Sequence, residues 1–118
     1  MKLQIQDFIP DVRKMLDVAI RDGYDGAELA RYVRDGLVRL HDVNHESRYV
    51  NGRLVSVSFP ADDAELPTFV VDIEERWRLG VVYFAVARCH EVGITDSVNL
   101  QLAQTLKQQA DAEFRRAR

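Results

Sequence analysis

His41 and His45 stand four residues apart in HDVNHE. On a helix that spacing puts two imidazoles on one face, which is how half of a metal site is built. Asp42 or Glu46 would supply an oxygen ligand, and a third imidazole, His90, would have to be brought in by the fold. The same segment falls where a helix is expected to end, and there the helix dipole favours imidazoles with no metal present. No established metal motif surrounds them. The expectation is therefore no metal and no cofactor, with His41, His45 and His90 as the residues to inspect.

Cys89-His90-Glu91 sets a thiol beside a base. Adjacent residues on a helix diverge, so the pair does not form a nucleophile and its activator. Cys89 falls on the apolar side of its segment, where a free cysteine acts as a small filler. Paired carboxylates occur at Asp62/Asp63 and Glu74/Glu75, in an acidic stretch expected to be exposed, with no apolar pocket to raise one of them. The chain has no glycine-rich phosphate loop, GxSxG, HExxH or CxxC. No catalytic residue is assigned, and the chain is expected not to be an enzyme.

What remains for chemistry is recognition. Tyr24, Tyr32, Tyr49 and Trp77 are aromatics of the kind that concentrate binding energy at interfaces, and Asp62, Asp63 and Glu65 form an acidic loop free of basic residues. Tyr24 is expected in a helix join and Tyr49 on a hairpin, both at the surface. Trp77 is expected where core and surface meet. A strand Arg48 to Val50 at a sheet edge would also be open to pairing with a partner or a second copy.

The elements that must position these residues follow from periodicity. Asp7 to Asp22 carries Phe8, Ile9, Val12, Met15, Leu16, Ala19 and Ile20 at helical spacing, with Pro10 in the first turn and Gly23 placed to stop it. Asp25 caps a second helix with its stripe at Leu29, Ala30, Val33, Leu37 and Leu40, ending near His41, and Gly36 offers close helix approach. Asn51-Gly52 supplies a type I′ turn between Arg48-Tyr49-Val50 and a strand running to Phe59. Thr68 to Ile73 reads as a third strand. Glu75 to Val92 reads as a helix apolar nearly all round. Thr95 or Asp96 caps a last helix, with Val98, Leu102, Leu106, Ala110 and Phe114 recurring every four residues. The fold expected over 1–118 is a single α+β domain in the order ααβββαα, a three-stranded antiparallel sheet against four helices. If Glu75 to Val92 were strand instead, the sheet would grow and three helices would remain.

GYDGAELARYVRDG resembles the first half of a helix-turn-helix, which implies a tight turn and a polar recognition helix after it. Leu37-Val38-Arg39-Leu40 follows instead. Between Asp11 and Arg53 eight basic residues face eight acidic ones, which is not a basic footprint.

Bulk properties set the outer limits. With 118 residues, 47% apolar and 30% charged, the chain can bury one core. One cysteine cannot form an internal disulfide, and the N-terminal stretch lacks a signal-peptide core. The net charge of −3 argues against nucleic acid as a partner, and nothing reads as a membrane span. The thirteen arginines against three lysines read as the coding bias of a GC-rich bacterium or a mobile element. The functional expectation is a cytoplasmic, non-catalytic protein of regulator, adaptor or inhibitor type that binds another protein or itself. The alternatives are a helix-turn-helix DNA binder and a metal or small-ligand protein using His41 and His45.

Overall fold

Pro10 and Asp25 mark the starts of the first two described α-helices. A computed structural model describes residues 2–16, 24–55, 58–91 and 97–116. Lys2–Gln4 is a short strand, β1, followed by a 3-10 turn, Ile5–Phe8, that runs into helix α1, Ile9–Met15. Pro10 falls in the first turn of α1, where its missing N–H breaks no bond. The helix stops earlier than its apolar spacing suggests: Leu16 turns extended, with φ −85° and ψ 141°. Ala19, Ile20 and the Gly23 stop lie outside the described residues.

Helix α2, Gly26–Val43, is capped by Asp25, whose carboxylate accepts the Glu28 N–H at 2.8 Å. Its buried stripe contains all five expected residues together with Tyr32, Gly36 and His41. The helix passes through Gly36 without a break, so the tight turn that a helix-turn-helix needs is missing from this stretch.

The hairpin forms as expected at its turn. Asn51 and Gly52 both take positive φ, 52° and 77°, and join β2, Tyr49–Val50, to β3, Arg53–Leu54. It is shorter than the alternation implied, and Ser56 and Val57 lie outside the described residues. The third strand exists as β4, Val70–Asp72, but it does not join the hairpin. Its partner is β1, antiparallel, with Leu3 opposite Val71. Bonds from Ile5 N–H to the Phe69 carbonyl (3.0 Å) and from Gln6 N–H to the Pro67 carbonyl (2.9 Å) prolong that pairing. The α+β class therefore stands, and among the described residues the strands form two small two-stranded sheets, not the one three-stranded sheet expected. The N-terminus occupies the edge that the hairpin was expected to fill.

Glu75–Trp77 is a 3-10 turn leading into α3, Arg78–Glu91, so this segment is helix and not strand. Helices α1 and α2 and the last helix, α4 (Ser97–Phe114), all pack on it. Glycine makes two of these contacts possible. A Cβ on Gly36 would stand 3.1 Å from the Val81 carbonyl oxygen, and one on Gly80 would stand 2.6 Å from the Phe114 ring.

Helix α4 buries Ala103, Leu106, Ala110 and Phe114, while Leu102 is exposed. A strict four-residue repeat advances 400° and drifts about 40° per step around a 3.6-residue helix. Leu102 has drifted off the buried face and Ala103 takes its place. Val98 and the cap at Thr95 or Asp96 lie outside the residues whose side chains are described.

Polar contacts fasten α4 to α2. The Arg39 guanidinium donates to both oxygens of Asp111, at 3.0 and 2.7 Å, and Asn44 Nδ2 donates to the Phe114 carbonyl at 2.6 Å.

Gly80→Ala tests the α3–α4 contact. Alanine gains about 1 kcal/mol of helix propensity, but overpacking the ring costs about 1–3 kcal/mol or more in so close a contact. The expected outcome is a net loss of stability in urea unfolding, relieved by Phe114→Leu in the same chain. A Gly80→Ala protein as stable as wild type would show that the ring yields freely.

Candidate functional site

The end of α2 decides what its histidines can do. Val43 is the last helical residue and Asn44 is extended, with φ −136° and ψ 103°. His45 therefore sits on a separate 3-10 turn, His45–Arg48, where it is exposed, while His41 is buried on the helix. The i, i+4 face on which a metal pair would stand is interrupted between them. Among the described residues no group of three or more His, Cys, Asp or Glu is placed to hold a metal ion.

His41 belongs to a short hydrogen-bonded relay. The Ser47 hydroxyl donates to the Asn44 carbonyl at 2.7 Å and lies 2.8 Å from His41 Nδ1. With its single hydrogen committed to Asn44, the hydroxyl accepts from Nδ1–H. In that tautomer Nε2 is left as a bare lone pair. Nε2 is buried and has no hydrogen-bond partner among the described residues. Burial first, and then the nearby Arg48 charge, hold this imidazole below its ordinary pKa, with Asp42 opposing them.

His90 lies on α3, also buried, with Nδ1 lacking a hydrogen-bond partner among the described residues. Cys89 beside it is fully buried, and its thiol is pushed up to about 12, mainly by burial and then by the Glu28 carboxylate. Such a thiol is packing and not a nucleophile.

The aromatics divide. Trp77 is 1% exposed, so it is a core residue and not a boundary one; the Arg76 guanidinium lies 4.3 Å from its ring centre. Tyr24 is half-buried. Its hydroxyl donates to the Cys89 carbonyl at 2.6 Å and its ring meets Tyr32 edge-on at 5.8 Å, so it ties the start of α2 to the end of α3. Tyr49 is the one that the fold leaves outside, at 45% exposure.

The acidic loop is docked. The Asp62 carboxylate caps the 3-10 turn Asp63–Glu65 by accepting the Ala64 N–H at 3.0 Å. Asp63 pairs with Arg31 at 3.5 Å and Arg34 at 3.7 Å, both on α2. Glu65 is exposed. The chain of charges continues from Arg34 to Asp35, Arg88, Glu91 and Lys107, crossing from the loop over α2 and α3 to α4. A loop expected to offer three carboxylates to a partner has one of them engaged by its own arginines and one tied to its own backbone.

Sequence reasoning missed a cavity of about 410 Å³ between α2 and the hairpin. Val38, Leu54, Val55 and Phe59 give it an apolar wall, and His41, Asp42 and Arg48 give it a polar one. The available signal was Leu54-Val55, two consecutive apolar residues that break the alternation of a half-buried strand. A second hollow, between α1 and α3, is lined by Met15, Leu79 and Val82 together with Asp11, Lys14, Glu75 and Arg78. Arg78 and Asp11 are paired there at 3.0 Å.

The chain matches no family model, no curated protein and no solved structure. Among the described residues no helix is long and apolar enough to cross a membrane.

Two measurements check these environments. The unfolded chain takes up a proton at His41 near pH 6.5 that the folded chain resists. The stability held by the neutral ring is complete above that pH and is lost as the pH falls toward the lower folded value. Asp111, whose carboxylate Arg39 holds down, loses its contribution only at more acid pH, below about 4. Urea midpoints should therefore drop between about pH 7 and 5 in wild type. They should drop less in His41→Asn, which keeps a donor for Ser47 but does not titrate; parallel curves would refute the assignment. Iodoacetamide should alkylate native Cys89 roughly a thousandfold more slowly than the urea-unfolded thiol, read by mass spectrometry.

Proposed function

We propose that the chain is a non-catalytic protein-interaction module of regulator, adaptor or inhibitor type, docking through the β2–β3 hairpin and the adjoining flank of α2. The observation that carries this reading is a run of exposed apolar side chains. Tyr49 and Leu54 are cross-strand partners on the hairpin, 45% and 65% exposed, and Val38 on α2, across the shared cavity from Leu54, is 42% exposed. Exposed apolar groups gathered in one place mark contact surfaces more often than singly scattered ones do. A tyrosine there supplies area and a hydroxyl at low entropic cost. Binding through this face needs no chemistry.

The acidic loop is a secondary element of this reading. Glu65 and the free edge of Asp62 are its accessible carboxylates, and charge of this kind adds to encounter rate more than to affinity.

The experiment is capture of a partner from the native host, identification, and reconstitution of the purified pair, with light scattering to detect self-association. Tyr49→Ala and Leu54→Asp should each weaken the reconstituted complex or the self-association at least about tenfold, the range of a central interface contact. Leu100→Asp, an exposed apolar site on α4, should not. A complex of unchanged affinity in the Leu54→Asp protein would overturn the assignment of this face.

A further inference from the structure

The α2–hairpin cavity has a division of chemistry that a protein-docking face does not require. Its apolar wall of Val38, Leu54, Val55 and Phe59 faces a polar side carrying three different functions. Arg48 is a cation with no ion-pair partner among the described residues, and Asp42 is an anion in the same position. Both are exposed and line the same cavity, yet they do not satisfy each other within 4 Å. His41 lines the same cavity, 7% exposed, and its Nε2 is an acceptor with no partner among the described residues.

The volume, about 410 Å³, lies within the range of small-molecule sites. An apolar wall calls for an apolar body. A separated cation and anion call for the opposite charges on one small molecule. A buried lone pair calls for an N–H donor.

We propose that this cavity binds a free apolar amino acid or a close zwitterionic analogue. Its carboxylate meets Arg48, its ammonium meets Asp42 and donates to His41 Nε2, and its side chain lies on Val38, Leu54, Val55 and Phe59. Arginine can hold a carboxylate with two parallel bonds. The ammonium has three donors, enough for both Asp42 and the imidazole. Nε2 is buried as the cavity stands, so the imidazole edge must shift toward the ligand for that bond to close. Val38 and Leu54 serve both this cavity and the docking face, but Asp42 and Arg48 belong to the cavity alone, so the two readings are separable.

The test uses the full chain labelled with ¹⁵N and titrated with L-phenylalanine, phenylalanine amide and 3-phenylpropionate. A ligand of about twelve non-hydrogen atoms at ordinary efficiency dissociates near 1 mM, so titration to about 20 mM covers the range. The expected result is saturable shifts at Val38, His41, Leu54, Val55 and Phe59 with phenylalanine, and a change in the His41 imidazole nitrogen signals. The amide and the propionate, each lacking one charge, should bind about two- to fivefold more weakly, the weight of one partly exposed ion pair. Asp42→Asn and Arg48→Gln are surface changes that leave the core intact. Arg48→Gln should abolish the advantage of phenylalanine over its amide, and Asp42→Asn its advantage over the propionate. Absence of saturable shifts, shifts centred on another face, or equal binding of the three compounds would each overturn the proposal.

Discussion

Everything in this fold depends on how closely α3 is approached from its neighbours. A helix with so little polar surface has to be covered on most sides, and covering it requires backbone-to-ring and backbone-to-backbone contact. Gly80 under Phe114 and Gly36 over Val81 are where that closeness is reached. Once α4 lies against α3 at Gly80, its C-terminal end stands beside the end of α2. There Asn44 and Arg39 can reach Phe114 and Asp111. The end of α2 in turn places His41, Ser47 and the hairpin. The candidate sites are thus downstream of a packing requirement.

Much of this was legible in the sequence because it is local. Asp25 as a cap, Asn51-Gly52 as a turn, the five-residue stripe of α2 and the helical nature of Arg78–Glu91 each follow from neighbours within a few positions. What was not legible is what depends on partners distant in sequence. Lys2–Gln4 is too short to show an alternation, yet it is the strand that captures Val70–Asp72 and so splits the expected sheet in two. Leu16 ends α1 although its side chain fits the helical stripe, because an apolar side chain can be buried from an extended backbone as well.

The functional residues show the same division. Cys89 could be demoted from its sequence alone, since helical geometry separates it from His90. Trp77 could not be placed, because an acidic neighbourhood in sequence says little about what covers an indole in space. Asp63 looked available because its partners, Arg31 and Arg34, lie some thirty residues away on α2. The cavity beside His41 was invisible for a related reason: its lining comes from α2, from Arg48 before the hairpin and from Leu54, Val55 and Phe59 after its turn, and no local pattern joins them.

The chain of alternating charges from Asp63 to Lys107 has a kinetic consequence. Opposite charges set side by side cancel within a few ångströms, and at physiological salt little of their field survives beyond about 8 Å. The modest net charge is therefore not gathered into a lobe on that side of the molecule, and an approaching partner is given little orientation from a distance by it. A partner meeting the molecule on that side would associate near the unsteered rate of roughly 10⁵–10⁶ M⁻¹s⁻¹. The selectivity of such an encounter resides in how long the partners stay together after they touch.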